Sequence, residues 1–370
     1  MKTNPTIISC LLALVAVSCK VDQQTQVQSI PYVQEIIADS DNPAAVVLAR
    51  SSKPEVSGDI VIVGSLEESM AYSHAFRDTD THDNARGSEA PDGLPDFAGE
   101  TVTSIVDHCA SIAAEWIDLG GSERLRELAV RQAVSAIDTV YHLSPYDLEG
   151  LGHKSPAKLV VMTSPYYSSY GKSDVDTLLS VMSCRVPVVC PFDIAASKVV
   201  SSVRKGTSIV VGIVCDSLEI SHTALQERFL AAAAAAGISG AECHMFRQHD
   251  GNAPLAAVLD QYIASDGPRP LDALIVCDPA LTSASFAAEV QSMTSVMSPE
   301  SITYGKYLSK GFKILSLVEE TTAYCYNLLR ERNLFTLDIS YPQSLSFVTV
   351  DNPDDEKAIL VVPPTYYVQD

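Results

Sequence analysis

The residues best suited to chemistry in this sequence stand directly after short apolar, β-branched runs. Ser65 and Glu67 follow the first such run, Ser164-Pro165-Tyr166-Tyr167 the second and Asp193 the third, with Asp216, Asp278 and Glu319 after later ones. The triplet Val-Cys-Asp ends two of these runs, as Val214-Cys215-Asp216 and Val276-Cys277-Asp278. In an open α/β sheet, ligands settle beyond the carboxyl ends of the strands, where loops diverge and helix N-termini present unpaired N–H groups. Ser65, Glu67, Ser164, Tyr166, Tyr167, Asp193, Asp216, Asp278 and Glu319 are therefore the candidate ligand-binding residues. Carboxylates suit a cationic or polyhydroxylated ligand, and the tyrosines offer faces on which a ring can stack. The same residue types also cap the helices that follow strands.

Residues 72–100 form a long polar stretch after the first run, expected to lie at the ligand edge, with 72–98 as a lid. Within it Asp78, Asp80, His82, Asn84 and Glu89 fall at positions 1, 3, 5, 7 and 12 of a calcium-loop spacing. Asp83 stands where such loops need glycine for a sharp turn, and His82 replaces an oxygen ligand. Asp78, Asp80 and His82 remain the candidate ligands of a divalent metal, and the same acid/His cluster could serve a hydrolase. No other cofactor is expected. Gly171-Lys172-Ser173 lacks the first glycine of a phosphate loop, whose place is taken by Tyr166. Neither a G-x-S-x-G elbow nor an H-E-x-x-H pair occurs. Two opposed thiols could perform racemisation, and Cys190 and Cys277 stand at strand ends where such a pair would be needed, although Pro191 and Asp278 follow them.

The elements that must position these groups alternate. Strands are expected at 59–63, 158–162, 186–190, 208–215, 273–277 and 313–318, each nearly continuous in apolar residues, as strands covered on both faces are. Amphipathic helices are expected between them, one on the face Val102, Ile105, Val106, Cys109, Ile112, Ala113, Trp116 and Ile117, others at 123–143, 174–183, 221–236, 253–265 and 283–297. Short strands at 334–340, 345–350 and 358–362 end the chain. The fold class is α/β, with two doubly wound, Rossmann-like lobes of parallel sheet and C-terminal strands that return to the first lobe or form an antiparallel edge. The expected divisions are a leader at 1–19, a stalk at 20–57, a first lobe at 58–205, a second at 206–310 and a crossover at 311–370.

The chain has 370 residues and a formal net charge of −21, which disfavours nucleic acid as a partner because phosphate contacts need clustered Lys and Arg. Its hydrophobic share of 46% excludes general disorder. The apolar run from Ile7 to Val17 is too short for a stable membrane span and suits a secretory leader. Val15-Ala16-Val17-Ser18-Cys19 resembles a bacterial lipobox, which implies a lipidated Cys19, membrane attachment through that lipid and location in the cell envelope. If Cys10 and Cys19 are spent in this way, seven of the nine cysteines remain, an odd count with no CxxC pair among them.

Two α/β lobes behind such a leader, the second opening with Gly206-Thr207-Ser208-Ile209-Val210-Val211-Gly212-Ile213-Val214, resemble the type I periplasmic binding proteins. The resemblance implies a small polar ligand held between lobes that close on it. An enzyme in the same cleft, either a metal-assisted hydrolase or a cysteine racemase, is the alternative, and a structural lipoprotein a further one.

Overall fold

A computed structural model describes residues 29–107, 121–147, 149–215, 219–247, 255–265, 269–295, 298–336, 338–352 and 355–364. The leader with Cys19, and Cys109, Asp216 and His249-Asp250, lie outside these residues. Strands run, in chain order, as β1 (Asp59–Gly64), β2 (Thr101–Val106), β3 (Val140–Tyr141), β4 (Gly152–His153), β5 (Ala157–Met162), β6 (Val188–Val189), β7 (Ser208–Cys215), β8 (Gly240–Arg247), β9 (Leu271–Val276), β10 (Leu308–Ser316), β11 (Gln343–Asn352) and β12 (Asp355–Val362). The first sheet has the order β12-β11-β2-β1-β5-β6 and the second β10-β9-β7-β8, while β3 and β4 form a small hairpin. All pairings in the two large sheets are parallel except β12 on β11. The fold is thus two-lobed α/β, and the C-terminal strands both rejoin the first sheet and give it an antiparallel edge.

Successive side chains of a strand point to opposite faces, so the apolar run of β1 feeds two cores. Val61 and Val63 pack with the helix Ser122–Ile137 through Leu125 and Ala129. Ile60 and Ile62 pack on the other face with Tyr72 and Phe76 of the helix Leu66–Asp78 and with Tyr326 and Leu329 of the helix Leu317–Glu331. All four β1 side chains are fully buried, each contributing roughly 1.5–3 kcal/mol. The second sheet repeats the arrangement, with Ile209, Val211 and Ile213 against Leu225 and Phe229 on one face, and Val210 and Val214 against Leu255 and Tyr262 on the other. The chain passes to the second lobe after the helix Pro191–Ser201 and returns through the helix Leu317–Glu331.

Several expectations change. The segment read as a stalk carries helices Pro31–Ala38 and Pro43–Arg50, whose Val33, Ile36 and Leu48 are fully buried in the first lobe. Thr101–Val106, read as the start of a helix, is β2; its β-branched residues lie between β1 and β11, where a central strand needs them. The strand expected at 313–318 is the end of β10, which straddles the division at 310–311 and belongs to the second sheet; Leu317 and Val318 already start the returning helix. Residues 334–336 and 338–340 form no strand. β8, with its mixed sequence Gly-Ala-Glu-Cys-His-Met-Phe-Arg, escaped the pattern altogether. The polar stretch after β1 also moves: the helix Leu66–Asp78 carries the chain back along the sheet, so residues 79–100 lead into the start of β2. They sit at the N-terminal edge, opposite the expected ligand edge, and are not a lid over it.

Candidate active site between the lobes

At the carboxyl end of β1, Ser65 caps the helix Leu66–Asp78 in a reciprocal capping box. Glu68 N–H donates to Ser65 Oγ at 3.2 Å, and Ser65 N–H donates to Glu68 Oε2 at 2.9 Å. From the end of β5, Thr163 Oγ1 donates to the same Glu68 oxygen at 3.1 Å. Gly64 makes this approach feasible, since a Cβ there would lie 1.8 Å from Thr163 Oγ1 and 2.8 Å from Glu68 Oε2. Burial raises the Glu68 pKa against these stabilising bonds.

On the second lobe, Cys277 directly follows β9 and is half-buried. Its thiol pKa is driven well up, first by burial and then by Cys215, Cys243, Asp278 and Glu68. The Tyr72 phenol is likewise raised by burial, by Glu68 and by Cys277. Glu68, Tyr72 and Cys277 therefore lie close enough to influence one another's ionisation where the two lobes meet. Ser316, register-paired with Val276 at the same sheet edge, is fully buried, and its hydroxyl has no hydrogen-bond partner among the described residues.

After β5 the chain makes a π-helical turn, Tyr167–Gly171, a geometry that recurs at functional sites. Tyr167 donates a very short hydrogen bond to Asp107 at the end of β2. The Tyr166 hydroxyl and Ser169 Oγ are buried without partners among the described residues. Ser168 donates to Asp193 at 3.0 Å, and Asp193 forms a two-pronged ion pair with Arg228 of the second lobe, fastening the lobes on this side.

The expected residues thus divide. Ser65, Ser164, Tyr166 and Tyr167 are at the cleft edge; Ser164 is buried and its carbonyl accepts from Tyr167 N–H at 3.1 Å. Glu67 is exposed on the first turn of its helix. Asp193 is an inter-lobe ion-pair member, Asp278 accepts from Ala280 N–H at 2.7 Å in a local turn, and Glu319 accepts from Ser283 N–H at 3.0 Å. Glu68, Tyr72 and Thr163 were missed, although Ser65-x-x-Glu68 carries the spacing of a capping box. Cys190 is fully buried in a different setting: burial and Asp193 push its thiol up to about 12, with Lys172, Arg228 and Asp176 nearby, a set sharing no member with the neighbours of Cys277.

The candidate metal ligands are engaged separately at the N-terminal edge. Asp78 pairs with Arg77 at 3.1 Å and accepts from Tyr341, and Asp80 accepts from the amides of Asp92 and Gly93 at 3.1 and 2.9 Å. His82 Nδ1 bonds Asp96 at 2.8 Å while its ring stacks on Tyr326 at 4.1 Å. Among the described residues no group of three or more His, Cys, Asp or Glu is arranged to hold a metal ion. None of the described cysteines forms a disulfide, and no described helix is long and apolar enough to cross a membrane.

No family model matches the chain, and no curated protein does. Solved structures do. Glutamate racemase from Francisella tularensis, in complex with D-glutamate, is 11% identical with a TM-score of 0.44, covering 80% of this chain and 89% of that one. The maleate isomerase from Pseudomonas putida S16 is 12% identical with a TM-score of 0.38, covering 73% and 91%. An aspartate racemase homologue from Pyrococcus horikoshii OT3 is 11% identical with a TM-score of 0.35, covering 74% and 99%. The likeness is one of architecture. It corrects the expected resemblance to type I periplasmic binding proteins, and with it the picture of a lipoprotein of that kind, because the structures matched are racemases and an isomerase.

Proposed function

We propose that the inter-lobe cleft is the active site of an enzyme that moves a proton on a small polar acid, with Glu68 as base and Cys277 as acid. The supporting observation is the electrostatic proximity of Glu68 and Cys277, which come from opposite sheets, with the unpartnered hydroxyl of Ser316 at the end of the strand paired with β9. The elevated thiol pKa suits a proton donor and not a resting nucleophile. The ammonium of an α-amino acid beside Glu68 would favour its charged form, the form that acts as base. Glu68 would then take the proton from the substrate's α-carbon while Cys277 returns one to the opposite face. The number of bound protons is unchanged, and no metal or organic cofactor enters the scheme.

The test is exchange of the substrate α-hydrogen in D2O, followed by NMR. Glutamate and aspartate head the panel, since solved structures are named for these amino acids, and other amino acids follow. Wild-type exchange with one panel member, lowered on the order of 10²–10⁴-fold in Cys277→Ser and in Glu68→Gln, is expected. Absence of exchange across the panel, or exchange indifferent to both changes, overturns the proposal. The protonated thiol also fits ligand binding without turnover; a ligand that raises the melting temperature yet exchanges no hydrogen would establish that reading.

A further inference from the structure

The polar insertion that does not cover the cleft has a pocket of its own. It measures about 720 Å³ and lies at the N-terminal edge of the first lobe, between residues 84–98 and the end of the returning helix with residues 333–339. The loop around it is shaped by its own carboxylates. Asp80 and Asp92 accept backbone N–H groups across the loop, and Asp96 accepts four hydrogen bonds from Thr81 and His82. These acids are used internally, so the wall is preformed.

Two polar groups at this wall are not used up. Arg330 has no carboxylate partner among the described residues; its guanidinium makes only long contacts, at 3.5 Å, to the Asn84 carbonyl and the Tyr326 hydroxyl. Gly87, with φ +70°, lets the loop lie directly on Arg330, since a Cβ there would be 2.2 Å from Nε. Asn84 Oδ1 is a buried side-chain acceptor with no partner among the described residues, although Asn84 Nδ2 is fixed by Pro95 O at 2.8 Å. Buried polar atoms are nearly always satisfied, so an unmatched one on the residue whose carbonyl meets Arg330, in a single cavity, indicates groups meant for a ligand. Asp338 adds a carboxylate at the rim, held ionised by the Ser340 amide. Phe335 and Ile339 supply an apolar wall.

We propose that this pocket is a second ligand site, separate from the cleft, for a free α-amino acid with an apolar side chain. The carboxylate pairs with Arg330, the ammonium with Asn84 Oδ1 and Asp338, and the side chain lies against Phe335 and Ile339. The proposal does not depend on the reaction assigned to the cleft.

Calorimetric titration of the full chain with leucine, phenylalanine, leucinamide and N-acetyl-leucine is the test. The free amino acids bind, and the derivatives lacking the carboxylate or the ammonium bind at least roughly 10-fold more weakly. Arg330→Gln produces a similar loss. Because Arg330 also supports the loop, Ile339→Trp serves as the second variant: Ile339 is 76% exposed, so the larger ring fills the pocket without disturbing the core. Cys277→Ala leaves this binding unchanged. Absence of binding at about 10 mM amino acid overturns the proposal. So does binding that survives both Arg330→Gln and Ile339→Trp, and loss of binding in Cys277→Ala would place the ligand in the cleft.

Discussion

The two edges of the first sheet treat buried charge in opposite ways. At the N-terminal edge the fully buried Lys158 donates to Glu100 at 2.5 Å and to Leu334 O at 3.0 Å, and the Glu100 carboxylate accepts in turn from Thr336 N–H at 2.8 Å. Nearby, the buried Lys154 donates to Ala136 O at 3.0 Å, with Asp138 and Asp59 close enough to favour its charge. A strand's length away, at the C-terminal edge, Glu68 meets only hydroxyls and amides among its hydrogen-bond partners, and Tyr166 and Ser169 keep unmatched hydroxyls. Around Lys158 the buried charges are closed within the chain. At the C-terminal edge hydroxyls are left unmatched, the condition of a surface that a ligand completes.

The sharpest way to break this contrast is at the closed edge. Glu100→Gln strands a buried ammonium and should cost about 3–5 kcal/mol in urea unfolding, while Lys158→Met combined with Glu100→Gln recovers much of the loss. A cost below about 1 kcal/mol for the single change would show that the network is not closed.

A smaller effect should appear at Lys154, where burial lowers the pKa to about 8 from an ordinary 10.5. The folded state then binds fewer protons than the unfolded state between those values, so stability rises with pH across that window, by up to roughly 3 kcal/mol. Lys154→Met should abolish the rise in a series of denaturant titrations from pH 7 to pH 10.5, and a slope that persists in the variant would assign it to another group.

The smallest effect belongs to the open edge. Burial raises the Glu68 pKa, so its contribution to stability is full below the ordinary carboxylate value and is lost as pH rises through the raised one. Glu68→Gln, which keeps the capping geometry, should therefore stabilise the protein at neutral pH, gain nothing near pH 4 and still lose exchange activity. Destabilisation at neutral pH would mean that Glu68 serves the fold and not the cleft.

Much of the fold was legible in local pattern. β1, β5, β7 and β9 announce themselves as apolar, β-branched runs because a strand buried on both faces has no room for polar alternation. β8 was illegible for the complementary reason: it is the edge strand of its sheet, pairing only with β7, and tolerates Glu242 and Arg247 at its surface. The cleft was half legible. Ser65, Ser164 and Tyr167 follow from strand ends, but Glu68 lies one turn into a helix, where its side chain reads as part of a cap, and Thr163 directly follows a buried strand, where it reads as core.

The amino-acid sequence by itself determined the alternation of strands and helices, the division into two lobes and the polar character of the strand ends, since these depend on periodicities within a few residues. Only the tertiary structure decided which polar groups meet. It put residues 79–100 at the far edge from the cleft, set Cys277 and not Cys190 opposite Glu68, and brought Arg330 to Asn84 across 246 positions of sequence. Such meetings depend on the direction in which each helix returns and on the order in which parallel strands assemble. Those are properties of long-range packing, and no local pattern encodes them.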